Sequence, residues 1–200
     1  SDGPRVLAVA SGGGHWTELM RIREAFEGCD VAYVSVKEWY REDVAGHRFY
    51  AIPDVSRLHK WRIAATIARL AWILLRERPK VLVTTGSAPG MLALRMAKAL
   101  GARTVWIDSV ANIEEMSLSG LKAGRAADLW LTQWSHLAKP EGPHYRGSVL
   151  CGSSSPSAPC CPSTDWCGRS TSSSRAGPTS RPSPRSAKPA TGPGTWRASR

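Results

Sequence analysis

Short apolar runs alternate along the chain with amphipathic stretches. Val6–Ala10 is continuously apolar and closes on Ser11-Gly12-Gly13-Gly14-His15. A parallel strand buried on both faces reads this way, with turn residues at its end. Trp16, Leu19, Met20, Ile22 and Phe26 then recur at helical spacing, which predicts a helix over 16–26. The same patterns predict strands at Asp30–Val36, Phe49–Ile52, Lys80–Thr84, Thr104–Ile107 and Ala127–Thr132. They predict helices at Trp61–Leu75 and Met91–Leu100, with Pro89 in a first turn and Gly101 at a cap. Strand, helix and strand in repetition make an α/β fold, a parallel sheet with helices on both faces.

Ligands of such sheets bind at the carboxyl ends of the strands. Three polar loops fall there. In the first, Ser11, Gly12, Gly13 and Gly14 expose backbone N–H groups at a helix start, which favours a phosphate or another anion, although a tight turn needs the same residues. His15 reads as a base, as a donor to a phosphate, or as a neighbour of the cap. In the second loop, Thr85, Gly86 and Ser87 suit phosphate or sugar hydroxyls, or simply cap the next helix. The third carries Asp108, Ser109, Asn112, Glu114, Glu115, Ser117, Ser119 and Gly120. One of its carboxylates could serve as a base; the others are solvated or bind the loop itself. The dinucleotide fingerprint lacks its third glycine, because Thr17 stands there, and no GK[ST] follows for a P-loop. No cofactor is expected, and an NAD-dependent oxidoreductase is disfavoured.

Composition changes the picture at residue 151. The net charge of the 200 residues is +11, yet residues 151–200 supply +6 of it with 7 Lys+Arg and 1 Asp. Those fifty residues hold 13 Ser, 8 Pro and no Val, Ile, Leu, Met, Phe or Tyr, so they have nothing to bury against their ordering entropy. The expected organisation is a folded domain over 1–150 and a disordered Ser/Pro/Arg tail over 151–200. The basic balance is therefore poor grounds for a nucleic-acid partner. Cys160, Cys161 and Cys167 are not spaced as a zinc site, so no metal is expected. The tail also has the composition of GC-rich DNA read out of frame. Shifted by one base, every TCN serine becomes Phe, Leu, Ile or Val, and Cys161, Trp166 and Cys167 are forced to Leu, Leu and Val. Codons can then be chosen so that a strand, a Gly-Thr loop and an amphipathic helix appear. That reading makes the tail a frameshifted second domain.

Cys29 is the single cysteine of residues 1–150, and no run reaches the roughly 20 apolar residues that span a bilayer. A cytoplasmic protein is expected. The 61–75 helix is apolar on most sides, carries Trp61 and Trp72, and is flanked by Lys60, Arg62, Arg76, Arg78 and Lys80. It reads as a core helix, as one lying at a lipid interface, or as both.

One family carries these loops in this order. Ser11–His15 with Glu18, Thr85–Pro89, Asp108-Ser109, Glu114 with Met116–Gly120, and Ala127–Leu129 leading to Gln133-Trp134 resemble the membrane-side subunit of two-part glycosyltransferases. The eukaryotic member helps to add the second N-acetylglucosamine to a dolichol-diphosphate oligosaccharide, and bacterial relatives act in exopolysaccharide and capsule assembly. The resemblance runs from about Val6 to Gly147. Asp108, where Glu is expected, and the extra glycine of the first loop depart from it. It implies a Rossmann-like domain, the N-terminal half of a GT-B glycosyltransferase, peripheral at the cytoplasmic face of a membrane. A donor-binding glycosyltransferase subunit would be its partner. A sugar would pass from a nucleotide-sugar donor, a UDP-sugar, to a lipid-linked acceptor. His15 would be the base, with Ser11, Gly12, Gly13, Gly14, Thr85, Gly86, Ser87, Asp108, Ser109 and Glu114 binding substrate. The alternative is a non-catalytic membrane adaptor that recruits the catalytic subunit. An apolar docking patch is expected near the carboxyl edge of the sheet and the Gln133-Trp134 stretch.

Overall fold

The computed structural model describes residues 3–54 and 60–150. The tail from 151 lies outside the described residues, and with it the disorder and reading-frame expectations. Seven parallel strands form one sheet in the order β3-β2-β1-β4-β5-β6-β7. They are β1 Arg5–Val9, β2 Asp30–Ser35, β3 Arg48–Ala51, β4 Val81–Thr84, β5 Arg103–Ile107, β6 Leu129–Thr132 and β7 His144–Tyr145. The helices are α1 Gly14–Arg21, α2 Lys60–Glu77, α3 Ala88–Ala99 and α4 Leu118–Gly124. The parallel α/β architecture read from the hydrophobic pattern is present.

The continuous apolar strands serve two cores at once, because successive side chains leave a strand on opposite faces. Leu7, Val9, Ala32, Val34, Leu82 and Trp106 pack on one face with Leu70, Ile73 and Leu74 of α2 and Ala93, Leu94 and Ala97 of α3. Val6, Ala8, Val31, Tyr33, Val83 and Val105 pack on the other with Trp16 and Leu19 of α1. Each fully buried Leu or Ile contributes about 1.5–3 kcal/mol relative to exposure. Register follows from β1 outward: Leu7 lies beside Ala32 on one side and beside Leu82 on the other.

Four elements differ from the pattern. The helix predicted over 16–26 stops at Arg21 and continues as a 3-10 turn, Arg23–Phe26. That tighter turn brings the chain back so that the Asp30 N–H reaches the Pro4 carbonyl at 3.2 Å. Residues 38–44, a polar stretch in the sequence, form another 3-10 turn, Glu38–Val44, over the first loop. Neither α4 nor β7 was predicted. Gly120 lowers the helical signal of α4, yet packing requires it, because a Cβ there would lie 2.5 Å from Asp108 Oδ1.

Candidate functional site

Strand order reverses between β1 and β4, both of which pair with each other while their helices leave in different directions. The crevice beyond their carboxyl ends is the switch point where ligands of open α/β sheets bind. The first and second loops meet there. His15, in the first turn of α1, donates from Nδ1 to the Thr85 carbonyl at 2.9 Å, and Thr85 Oγ1 donates back to the His15 carbonyl at 2.7 Å. A carbonyl can only accept, so Nδ1 carries a proton, and whenever the ring is neutral the lone pair is on Nε2. Gly86 makes room for the ring. Its φ of 122° suits glycine alone, and a Cβ there would lie 2.9 Å from His15 Cε1. Ser87 starts α3, with Pro89 in the first turn as expected, and the Ser87 hydroxyl is buried without a hydrogen-bond partner among the described residues.

The Gly-rich loop is braced from the β2 side. The Ser11 carbonyl accepts from the Ser35 hydroxyl, and Gly13 N–H donates to the Tyr40 hydroxyl at 2.9 Å. Tyr40 stacks on Trp16 at 4.7 Å between centroids, and Trp16 Nε1 donates to Asp43 at 2.7 Å. Gly12 touches the same side, near Lys37 and Tyr40, whereas Gly13 and Gly14 face open space. Lys37, Tyr40 and Asp43 were not candidates from the sequence. The extended, polar look of residues 37–44 gave no sign that they fold back over the loop.

The third loop is organised inward. Asp108 is buried and its carboxylate is fully engaged. It accepts from Trp106 Nε1 at 3.1 Å, Asn112 Nδ2 at 3.1 Å, Ser117 N at 3.0 Å and Ser117 Oγ at 2.6 Å. Four donors leave it shaping the 108–120 segment, with Ser117 also accepting from Gly120 N to cap α4. Ser109 likewise points inward and donates to Glu18 Oε1 at 2.7 Å. Glu114 is exposed and makes no side-chain hydrogen bond or ion pair among the described residues. The structure therefore brings His15, Thr85, Gly86 and Ser87 into the crevice, and sets Asp108 and Ser109 in the scaffold behind it.

Glu18 is the connection between the two. One helical turn beyond His15, it is only 4% exposed. Its Oε1 accepts from Ser109 Oγ and from Val110 N at 3.2 Å, and its Oε2 from Gln133 Nε2 at 3.4 Å. Gln133 Nε2 also reaches the Asp108 carbonyl at 3.0 Å, and Gln133 Oε1 accepts from Val149 N at 3.0 Å. Loss of solvent raises the Glu18 pKa; the Ser109 hydrogen bond and the nearby His15 oppose that rise. Asp128 of the sequence motif lies at the opposite, amino edge, where it accepts from Thr104 N at 2.9 Å and clamps β5 to β6.

The fold falls into a class of known structures. MurG of Acinetobacter baumannii superposes with a TM-score of 0.58 at 12% identity, over 72% of this chain and 45% of that one. UDP-N-acetylglucosamine 2-epimerase from Rickettsia bellii superposes with a TM-score of 0.57 at 12% identity, over 74% and 46%. The chain spans less than half the length of either, and its fold is a Rossmann-like half of the GT-B type. Residues 55–149 match the family described as oligosaccharide biosynthesis protein Alg14 like. The resemblance read from the loops is thus borne out over a segment that holds the second and third loops and Gln133-Trp134. No curated protein matches the chain.

Proposed function

We propose that this chain is the acceptor-side half of a glycosyltransferase of lipid-linked oligosaccharide or polysaccharide assembly, completed by a donor-binding subunit. The observation that carries the reading is the fixed tautomer of His15. With Nδ1–H held by the Thr85 carbonyl, Nε2 is an acceptor in a half-open crevice at the switch point. Sugar transfer needs that group. Nε2 takes the proton of the acceptor hydroxyl as its oxygen attacks the anomeric carbon, and the bond to the departing nucleoside diphosphate breaks. Gly13 N–H is held by the Tyr40 hydroxyl, so the other backbone N–H groups at the start of α1 are the ones that supply fixed positive dipoles for phosphate oxygens. Glu18, braced by Ser109, Val110 and Gln133, holds α1 and hence His15 in place. The family match to oligosaccharide biosynthesis proteins supports the substrate class.

The test is transfer of radiolabelled sugar from UDP-sugars to a lipid-diphosphate-sugar acceptor by the chain combined with its donor-binding subunit. His15→Ala should lower kcat by about 10²–10⁴-fold with little change in thermal midpoint. Near-full activity of His15→Ala would remove the base and leave the adaptor reading in its place.

A further inference from the structure

The Gly-rich loop has a second flank that the transfer chemistry of His15 leaves unused. Its β4 side carries His15 and Thr85, and its β2 side carries Lys37 and Tyr40. Tyr40 is fixed at both ends. Its ring stacks on the buried Trp16 at 4.7 Å between centroids, and its oxygen accepts from Gly13 N–H at 2.9 Å. A phenol oxygen that accepts still has its own proton to give, and among the described residues the Tyr40 O–H donates to nothing. Lys37 lies beside it: a Cβ built on Gly12 would be 3.5 Å from Lys37 Cγ and 3.6 Å from the Tyr40 hydroxyl. The Lys37 ammonium rests 5.0 Å from the centroid of the exposed Trp39 ring and enters no ion pair among the described residues. Two acids of the same turn are engaged with other groups. Glu38 accepts from Arg41 Nε at 3.0 Å, and Asp43 from Trp16 Nε1 at 2.7 Å.

We propose that Lys37 and Tyr40 bind the diphosphate of the lipid-linked acceptor, the Lys37 ammonium as its counter-charge and the Tyr40 O–H as a hydrogen-bond donor. Tyr40 takes up the Gly13 N–H and presents its own O–H in its place, so this flank keeps a donor while the loop backbone is held still. A hydrogen bond from an ammonium to a phosphate oxygen is charge-assisted and about twice as strong as a neutral one. Gly13 and Gly14 face open space, which leaves room for the phosphates. His15 is two residues beyond Gly13, at most about 7 Å along the chain. A diphosphate beside Tyr40 therefore carries the sugar attached to it toward His15 Nε2, and one ligand engages both flanks of the loop. The assignment to the acceptor rests on the acceptor-side reading above; the anion site rests only on these side chains.

Two measurements test it. In the first, inorganic pyrophosphate is titrated into the full chain and binding is read by calorimetry. Lys37→Gln should weaken binding about tenfold or more, and Tyr40→Phe, which keeps the ring on Trp16, about two- to tenfold. Lys37→Arg, which keeps the charge, should restore most of the affinity. No binding by the wild type would overturn the proposal. So would binding left unchanged by Lys37→Gln, because the basic segment beyond residue 150 would then account for it. Tighter binding by Tyr40→Phe would also overturn it, since the hydroxyl would then only shield Gly13 N–H. The second measurement is the transfer assay with the donor-binding subunit. Lys37→Gln should raise KM for the lipid-diphosphate-sugar about tenfold and leave KM for the UDP-sugar unchanged. A rise for the UDP-sugar alone would overturn the acceptor assignment in favour of the donor's diphosphate. Absence of transfer by the wild-type pair would end the transferase reading, while the pyrophosphate titration still decides the anion site.

Discussion

Glu18 sits where a carboxylate is costly. Burial penalises its charged form, so its folded pKa is above the ordinary 4.5. The sign of the linkage follows. At a pH below 4.5 both folded and unfolded chains carry the proton and Glu18 imposes no charge penalty. As pH rises through the gap between the two pKa values, the unfolded chain releases its proton first, and stability is lost. Urea unfolding between about pH 4 and 7 should therefore show the wild type losing stability relative to Glu18→Gln. A wild type that gains on that variant over the same range would contradict the assignment. Glu18→Ala should cost about 1–3 kcal/mol at any pH in that range, because the Ser109 hydroxyl and Val110 N–H lose their acceptor. His15 and Glu18 were both legible as motif residues. The role of Glu18 was not, since a glutamate three positions beyond a histidine reads as surface until Gln133 and Ser109 are seen to close around it.

The turn from β4 to α3 decides whether His15 keeps its place. Gly86→Ala would put a Cβ in the left-handed region and against the imidazole. It should destabilise the domain by about 1–3 kcal/mol and lower transfer activity with the partner at the same time. The check is the pair of measurements. Full activity at reduced stability would show that the ring tolerates displacement. This turn was readable in advance because strand, hydroxyls, glycine and proline follow a fixed order. The strands were readable for a related reason: burial on both faces leaves unbroken apolar runs, as in Val6–Val9. The 38–44 turn and α4 were not. The first owes its place to Tyr40 packing on Trp16, and the second to Asp108 packing on Gly120. Both contacts join residues distant in sequence, and no local period records them. A docking patch is expected near the carboxyl edge of the sheet and the Gln133-Trp134 stretch. Gln133 is buried and Trp134 Nε1 donates to the Val110 carbonyl at 3.0 Å, whereas Ile113, Leu118 and Leu121 of the segment after β5 are exposed.

At the scale of the molecule, the described residues build one sheet with one ligand-binding edge, against neighbours more than twice as long. A donor bound at that edge would meet one wall of a cleft. Orientation of donor against acceptor contributes a large share of the rate, and one wall does not fix it. The central claim is therefore dependence on a second half. The direct measurement is sugar transfer by the purified 200-residue chain, alone and with the donor-binding subunit, using a UDP-sugar panel and a lipid-diphosphate-sugar acceptor. The expected result is no turnover by either component alone and turnover by the pair that His15→Ala suppresses. Robust turnover by this chain alone would contradict it.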